Sequence, residues 1–119
     1  MFRLILDELL VTTHGALAAL FLDYEGETVE LVCDRDLSDH GLRILGAYQG
    51  IFLDRLRDLC AHAGAGMPRR FKLEFEAMSV MSYDVKDGYY VVLLVDASFN
   101  EGVAWRRLER CRQQLLTEM

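Results

Sequence analysis

The 119-residue chain has little proline, no excess of charged residues and no flexible-linker composition. One proline and nine glycines exclude collagen-like and linker-like proteins. Charged residues make up only 27% of the chain and hydrophobic residues 52%, which excludes a disordered protein, because disordered chains are poor in apolar residues. The length is that of one domain, and we predict a single domain over residues 1–119.

Positive charge is scarcer than negative charge. Thirteen Lys and Arg residues stand against nineteen Asp and Glu residues, which gives a formal net charge of -6. Because an acidic surface repels phosphate backbones, we do not expect nucleic acid as a partner. The mean hydropathy of +0.11 is high for a small chain with a large surface for its volume. We therefore expect some apolar surface to contact a protein partner.

Cysteine pairs and long hydrophobic runs are also missing. The three cysteines, Cys33, Cys60 and Cys111, are widely spaced and form no CxxC pair. The first residues do not resemble a secretion signal, because Asp7 soon interrupts them. The longest uncharged apolar run, 15–22, is far shorter than the ~18–20 residues that cross a bilayer. A cytoplasmic protein without membrane insertion is therefore expected.

No motif of a common catalytic or phosphate-binding site occurs in the sequence. Histidine and cysteine come close along the chain only as Cys33 with His40 and Cys60 with His62, which falls short of the paired ligands of a zinc site. Most of the carboxylates fall in turns or on polar faces, and no adjacent base or nucleophile completes a site. We expect no enzyme activity, no catalytic residue, no cofactor and no metal.

Hydrophobic periodicity predicts the element order α-β-β-α-β-β-β-α. The predicted helices are 2–12, 39–62 and one ending near 116, and the predicted strands are 16–22, 28–34, 71–76, 79–85 and 89–95. Strands 16–22 and 89–95 are apolar throughout, which is typical of strands covered on both faces. We place them side by side in a mostly antiparallel sheet of order 2-1-5-4-3. This is an α/β three-layer sandwich, with the long helix on one face and the terminal helices on the other.

The last helix carries four arginines, Arg106, Arg107, Arg110 and Arg112. Arginines near a helix C-terminus are favoured by the macrodipole; alternatively, the patch contacts an acidic partner or anionic lipid. Ser98 is predicted to cap this helix, because Glu101 follows at capping-box spacing. Trp105 is expected at the border of the core.

The long helix is apolar over an arc of about 200°, roughly twice the width that one sheet requires. Its broad apolar face comprises Leu42, Leu45, Tyr48, Phe52, Leu53, Leu56, Leu59 and Cys60. Either another element of the chain covers the excess, or the flank of Ile44, Tyr48 and Ile51, with Arg55 beside it, contacts another molecule. Because both other helices are assigned to the opposite sheet face, we favour the partner surface.

The segment 71–76 alternates between apolar and charged residues, as an outer strand does. Its unpaired edge could pair with a second copy across a two-fold axis and set two long helices side by side. Edge charges such as Lys72 and Glu74 are also a device against such pairing. We favour a homodimer, or a heterodimer with a paralogue. The residues assigned to the dimer interface are Phe52, Phe71, Leu73 and Phe75.

Several short motifs occur in a characteristic order. They are Gly15 before the first strand, the turn Asp23-x-x-Gly26, Gly88-Tyr89 before the fifth strand, and Asn100-x-Gly102 at the last helix. With the element order, they resemble the Roadblock/dynein light chain family over nearly the whole chain. Trp105 stands where bacterial members often have an arginine.

The resemblance implies a dimeric, non-enzymatic module that binds and regulates a small Ras-like GTPase. The bacterial branch includes the gliding-motility Mgl system, in which such a dimer stimulates GTP hydrolysis by its GTPase. The face of the paired long helices that contacts the GTPase would map to Ile44, Tyr48, Ile51 and Arg55 here. The alternative is a structural dimeric scaffold or adaptor without effect on GTP hydrolysis.

Overall fold

The computed structural model describes residues 1–34 and 36–119. Within these residues the elements are α1 (Phe2–Thr12), β1 (Ala16–Leu22), β2 (Thr28–Cys33), α2 (Asp39–Ala63), β3 (Arg70–Glu74), β4 (Met78–Lys86), β5 (Tyr89–Asp96) and α3 (Glu101–Thr117). The predicted element order is confirmed. The bounds agree to within two residues, and the largest differences are the earlier end of β3 and the later start of α3.

The five strands form one sheet in the order β2-β1-β5-β4-β3, with every neighbouring pair antiparallel. The predicted order is therefore confirmed. β1 and β5 lie in the middle, with Leu20 opposite Val92. Every residue of β1 is buried, because both faces of the central strands are covered, as their continuous apolar sequence predicts.

Helices cover both faces of the sheet in the predicted arrangement. Leu6 of α1 and Leu108 of α3 pack with Phe21 in one hydrophobic core. Leu42 and Leu53 of α2 pack with other sheet residues in a second core on the opposite face. The long helix is thus alone on its side of the sheet, and the two terminal helices share the other.

Two glycines bring α2 close to the sheet. A Cβ atom at Gly50 would lie 2.6 Å from the Tyr90 hydroxyl, and one at Gly46 would lie 2.8 Å from Leu22 Cδ2. The Tyr90 hydroxyl donates a hydrogen bond of 2.8 Å to the Gly46 carbonyl. Burial raises the pKa of Tyr90 to about 12. The contact requires the absence of a side chain at both positions, which explains why a long helix contains two residues of low helix propensity.

The N-terminus of α3 differs from the prediction. Asn100, not Ser98, caps the helix, and its side-chain oxygen accepts a hydrogen bond from the Val103 N–H at 3.0 Å. The Ser98 hydroxyl instead donates to the Asp96 carboxylate at 2.5 Å. The prediction was wrong because asparagine caps as well as serine, and the carboxylate at the end of β5 engages Ser98 first.

Substitution of Gly50 tests the close approach of α2. Gly50→Ala gains up to about 1 kcal/mol in helix propensity, but overpacking of a tight core typically costs about 1–3 kcal/mol. We expect a net loss of roughly 1–2 kcal/mol in the free energy of unfolding, measured by urea denaturation. Gly102→Ala is the matched control, because its Cβ would come no closer than 3.6 Å to Asn100. Equal stability of the two variants would contradict the tight contact.

Candidate partner-binding surface

The side of α2 that faces away from the sheet carries a line of exposed apolar side chains. Ile44, Tyr48, Ile51, Phe52 and Leu59 have exposed fractions between 38% and 66%. At about 100° per residue, all five fall within an arc of about 100° on one side of the helix. We call these five residues the outer stripe of α2.

Arg55 is exposed and lies at the spacing of the outer stripe. In the part of the chain that the structure describes, Arg55 forms no ion pair. By contrast, Arg43 is held by Asp39 at 2.6 Å, and Arg57 is held by Asp54 at 2.6 Å and by a second aspartate. Arg55 is therefore the α2 arginine whose charge remains available to a partner.

The buried side of α2 is narrower than the broad face predicted from periodicity. Its buried residues are Leu42, Gly46, Gln49 and Leu53. Phe52 and Leu59, two members of the predicted broad apolar face, are exposed instead. The reason is that small or polar residues, not the bulkiest apolar ones, make the closest contact with the sheet.

The outer stripe continues onto the edge strand β3 through aromatic contacts. The ring centroids of Tyr48 and Phe52 are 6.4 Å apart, as are those of Phe52 and Phe71. Leu73 is half-buried and packs against the same core cluster as Phe71. The fold thus joins the predicted partner residues of α2 and three of the four predicted dimer residues in one surface.

Phe75 is the predicted dimer residue that does not join this surface. β3 ends at Glu74, and the Phe75 N–H donates to the Met78 carbonyl at 2.8 Å in the turn to β4. Its side chain is half exposed in a separate cleft that it lines with Ser79 and Phe99. The sequence alternation continues to Glu76, but the turn removes these last residues from the strand.

β3 is the outermost strand and pairs with β4. Its Lys72 side chain is held on the α3 side, where Nζ lies 2.5 Å from Glu101 Oε1 and 5.8 Å from the Phe99 ring centroid. The hydrogen bond with Glu101 raises the pKa of Lys72. Lys72, whose charge could oppose pairing at the strand edge, is thus engaged in an ion pair within its own chain.

A second polar surface lies where β3 and β4 meet α3. The Arg70 guanidinium stacks over the Trp105 ring at 4.4 Å from its centroid. Trp105 and Tyr83 meet edge to face at 6.1 Å, and the Arg112 guanidinium lies 5.3 Å from the Tyr83 centroid. Trp105 is half-buried and packs against the core cluster, which confirms its expected place at the border of the core, and its ring also supports an exposed arginine.

The four arginines of α3 have different environments. Arg112 donates to both carboxylate oxygens of Glu109, at 2.7 and 2.9 Å. Arg110 lies 3.6 Å from Glu8 of α1. Arg106 and Arg107 form no ion pair among the described residues. The last turn of α3 holds no basic residue, so the macrodipole interpretation of these arginines is wrong.

Cysteine and histidine residues do not gather into a site. Among residues 1–34 and 36–119, no group of three or more His, Cys, Asp or Glu side chains could hold a metal ion. Cys111 is buried, which raises its pKa to about 12. None of the helices in the same ranges combines the length and apolar character that a bilayer span requires.

Solved structures with a similar architecture include a Roadblock/LC7 domain and Mgl proteins. The Roadblock/LC7 domain from Streptomyces avermitilis superposes with a TM-score of 0.87 at 12% identity, covering 98% of this chain and 95% of that one. MglB from Myxococcus xanthus superposes with a TM-score of 0.84 at 15% identity, covering 96% of this chain and 90% of that one. MglC from Myxococcus xanthus superposes with a TM-score of 0.68 at 21% identity, covering 99% of this chain and 98% of that one.

This chain has the Roadblock/LC7 fold. No family model matches the sequence, and no curated protein does, so the likeness rests on structure. The resemblance drawn from Gly15, the Asp23-x-x-Gly26 turn and Asn100 is confirmed at the level of the fold. Four of the motif residues have local structural roles. Gly15 and Gly26 have positive φ angles, Asp23 accepts hydrogen bonds from its own turn, and Asn100 caps α3.

The Arg112–Glu109 pair predicts a pH dependence of stability. Hydrogen bonds from Arg112 lower the pKa of Glu109 to about 2, below its ordinary value of about 4.3. The stabilisation is therefore fully present above pH ~5 and is lost as the pH falls towards ~2. Because the Glu109 side chain is 39% exposed, we expect it to contribute no more than about 1 kcal/mol.

Glu109→Gln should accordingly unfold at lower urea concentration than the parent protein at pH 7, and the difference should shrink between pH 5 and pH 2. Glu76→Gln, in the exposed turn after β3, is the charge-matched control. A stability difference that does not change over this pH range would refute the contribution of Glu109.

Proposed function

We propose that this protein is a dimeric, non-enzymatic module that binds a small Ras-like GTPase and regulates its nucleotide cycle. The observation that carries the proposal is the outer stripe of α2 with Arg55 within it and Phe71 of β3 adjoining it. The Roadblock resemblance implies the same face of the long helix. The likeness to MglB and MglC structures supports this class of regulator.

The composition of this surface is that of a protein interface. Aromatic residues and arginine are enriched at the centres of interfaces, where they supply most of the binding energy. Tyr48, Phe52 and Phe71 provide a continuous aromatic patch. Ile44 and Ile51 flank the patch on the same helix, and Arg55 adds a positive charge for a carboxylate of the partner.

We propose that the module acts by holding the catalytic loops of the GTPase in place. An inserted arginine finger is worth roughly 10³–10⁵ in hydrolysis rate, and Arg55 is the α2 arginine that could supply one. No motif marks it as a finger, so we assign it to binding. A surface that contacts one nucleotide state better than the other shifts the GTPase towards that state.

Dimerisation through β3 would bring two such surfaces together. The outer edge of β3 offers backbone N–H and C=O groups to a second copy, and a two-fold axis there extends the sheet while placing two α2 helices side by side. The half-buried Phe71 and Leu73 support this edge, since pairing would bury them further. The description of one MglB structure as a tetrameric arrangement is consistent with assembly.

The dimer predicts a solution mass near twice the 13.6 kDa of one chain. Light scattering at micromolar concentration measures this mass directly. Leu73→Lys should shift the mass towards the monomer, because a buried, unpaired charge is costly at an interface. Val29→Lys, on the edge strand β2 at the other side of the sheet, is the matched control and should remain dimeric. A monomeric parent protein, with no paralogue that completes a dimer, would exclude the proposed assembly.

The GTPase interaction is tested with purified Ras-like GTPases of the source organism, loaded with GDP or a non-hydrolysable GTP analogue. Tyr48→Ala and Ile51→Ala should each weaken binding by about tenfold or more, because both remove interface anchors. Val11→Ala, an exposed aliphatic position on α1, should leave binding unchanged. Binding is measured by calorimetry, and stimulated hydrolysis by phosphate release.

Arg55→Ala separates the two mechanisms. If the module positions the loops of the GTPase, the variant binds more weakly but still stimulates hydrolysis at saturation. Intact binding with abolished stimulation would make Arg55 a finger. Equal binding in both nucleotide states without a change in rate would establish the scaffold function instead. Failure of every GTPase to bind in either state would overturn the proposal.

A further inference from the structure

Two adjoining clefts lie on the α3 side of the sheet edge, away from the outer stripe of α2. One of about 450 Å³ is lined by Arg70, Tyr83, Gly102, Trp105, Arg106 and Glu109. The other, of about 620 Å³, includes Arg69 and Arg112 and shares Tyr83 and Glu109 with the first. The two clefts adjoin at these shared residues, and we call them together the arginine groove.

The charge of the arginine groove opposes that of the whole chain. Four arginines and two carboxylates line it, whereas the chain carries a net charge of -6. Both carboxylates are already engaged: Glu109 by Arg112 at 2.7 Å, and Asp84 by Arg57 at 2.9 Å. Arg69, Arg70 and Arg106 form no ion pair among the described residues, and the charge of Arg70 is offset only in part, through a longer-range attraction to Glu101.

The arginine groove is also preorganised for carboxylates. Stacking on Trp105 holds the Arg70 guanidinium plane, which reduces the side-chain entropy lost on binding. A guanidinium fixed in this way still presents N–H donors at its edge, and two of them match the two oxygens of a carboxylate. The half-buried rings of Trp105 and Tyr83 offer apolar contact beside these donors.

We propose that the arginine groove binds an acidic, partly apolar segment of a partner protein. Three free arginines are fewer than the four to eight basic residues of typical anionic-lipid sites. Sequence-independent binding to nucleic acid commonly uses about 6–10 phosphate contacts, which this patch does not supply. Two adjoining clefts that share an aromatic side chain and are lined by a few arginines fit a polypeptide that alternates carboxylates with apolar side chains.

The proposal goes beyond GTPase binding because it concerns the other face of the same strand. Side chains alternate along β3, so that Phe71 packs towards α2 while Arg70 stacks on Trp105 of α3. A partner in the arginine groove therefore leaves the outer stripe of α2 free. The module would hold two different proteins at once.

The single tryptophan of the chain reports directly on the arginine groove. The probe is a capped synthetic peptide that alternates glutamate with leucine, titrated against the full chain while Trp105 fluorescence is recorded. We expect a saturable change that weakens with added salt. A peptide with glutamine in place of glutamate should cause none.

Substitutions locate the binding. Arg106→Gln, which leaves the stacked pair of Arg70 and Trp105 intact, should weaken peptide binding about two- to fivefold. The double variant Arg70→Gln/Arg106→Gln should weaken it about tenfold. Arg107→Gln removes the same charge from the same helix, but Arg107 lines a different cleft together with Glu8 of α1. The peptide affinity of this variant should therefore match that of the parent protein.

Failure of the glutamate peptide to bind would overturn the proposal, as would a loss of peptide affinity with Arg107→Gln equal to that with Arg106→Gln. Binding of phosphatidylserine vesicles or single-stranded RNA through Arg70 and Arg106, without peptide binding, would also overturn it. Tyr48→Ala should retain peptide binding, so that loss of GTPase binding and loss of peptide binding are separate outcomes. Circular dichroism of each variant verifies that it is folded.

Discussion

The seating of α2 on the sheet is the contact on which both the fold and the candidate surface depend. Gly46 and Gly50 allow the helix to approach until the Tyr90 hydroxyl reaches the Gly46 carbonyl. Gln49 lies between the two glycines, fully buried, and its side-chain oxygen accepts a hydrogen bond from Ser82 of β4. Because buried polar groups are costly when unpaired, these two contacts fix the rotation of α2 about its axis. That rotation determines which side chains point outwards.

The consequence is an unusual distribution of side chains around α2. Helices on a sheet generally turn their largest apolar residues inwards, but here glycine and glutamine occupy inward positions, while Tyr48 and Phe52 lie outside. The arrangement loses apolar burial in the isolated chain and keeps anchors available for a partner. Exposed apolar residues that continue onto the sheet edge at Phe71 are characteristic of an interaction surface, which is why we treat this surface as the candidate site.

Periodicity predicted the sheet order and the division of the helices, because burial on one or both faces leaves its pattern in the sequence itself. It did not predict which polar groups contact one another. Asn100 replaced Ser98 as the cap because Asp96 engages the serine. Phe75 left the edge strand because a turn hydrogen bond ends β3. Trp105 became a support for Arg70, a residue 35 positions away in the chain, and no local pattern specifies such a partner.

β3 connects the two candidate surfaces through the elementary geometry of a strand. Phe71 and Leu73 point to the layer of α2, whereas Arg70 and Lys72 point to the layer of α3, where Trp105 and Glu101 engage them. If the edge of β3 pairs with a second copy, the strands of both chains become continuous and each face of the edge is duplicated across the two-fold axis. The aromatic face then forms a central platform beside the paired α2 helices, and the arginine grooves lie on the opposite side. In such an assembly, one strand of five residues would set both the symmetry of the dimer and the separation of the two proposed partners.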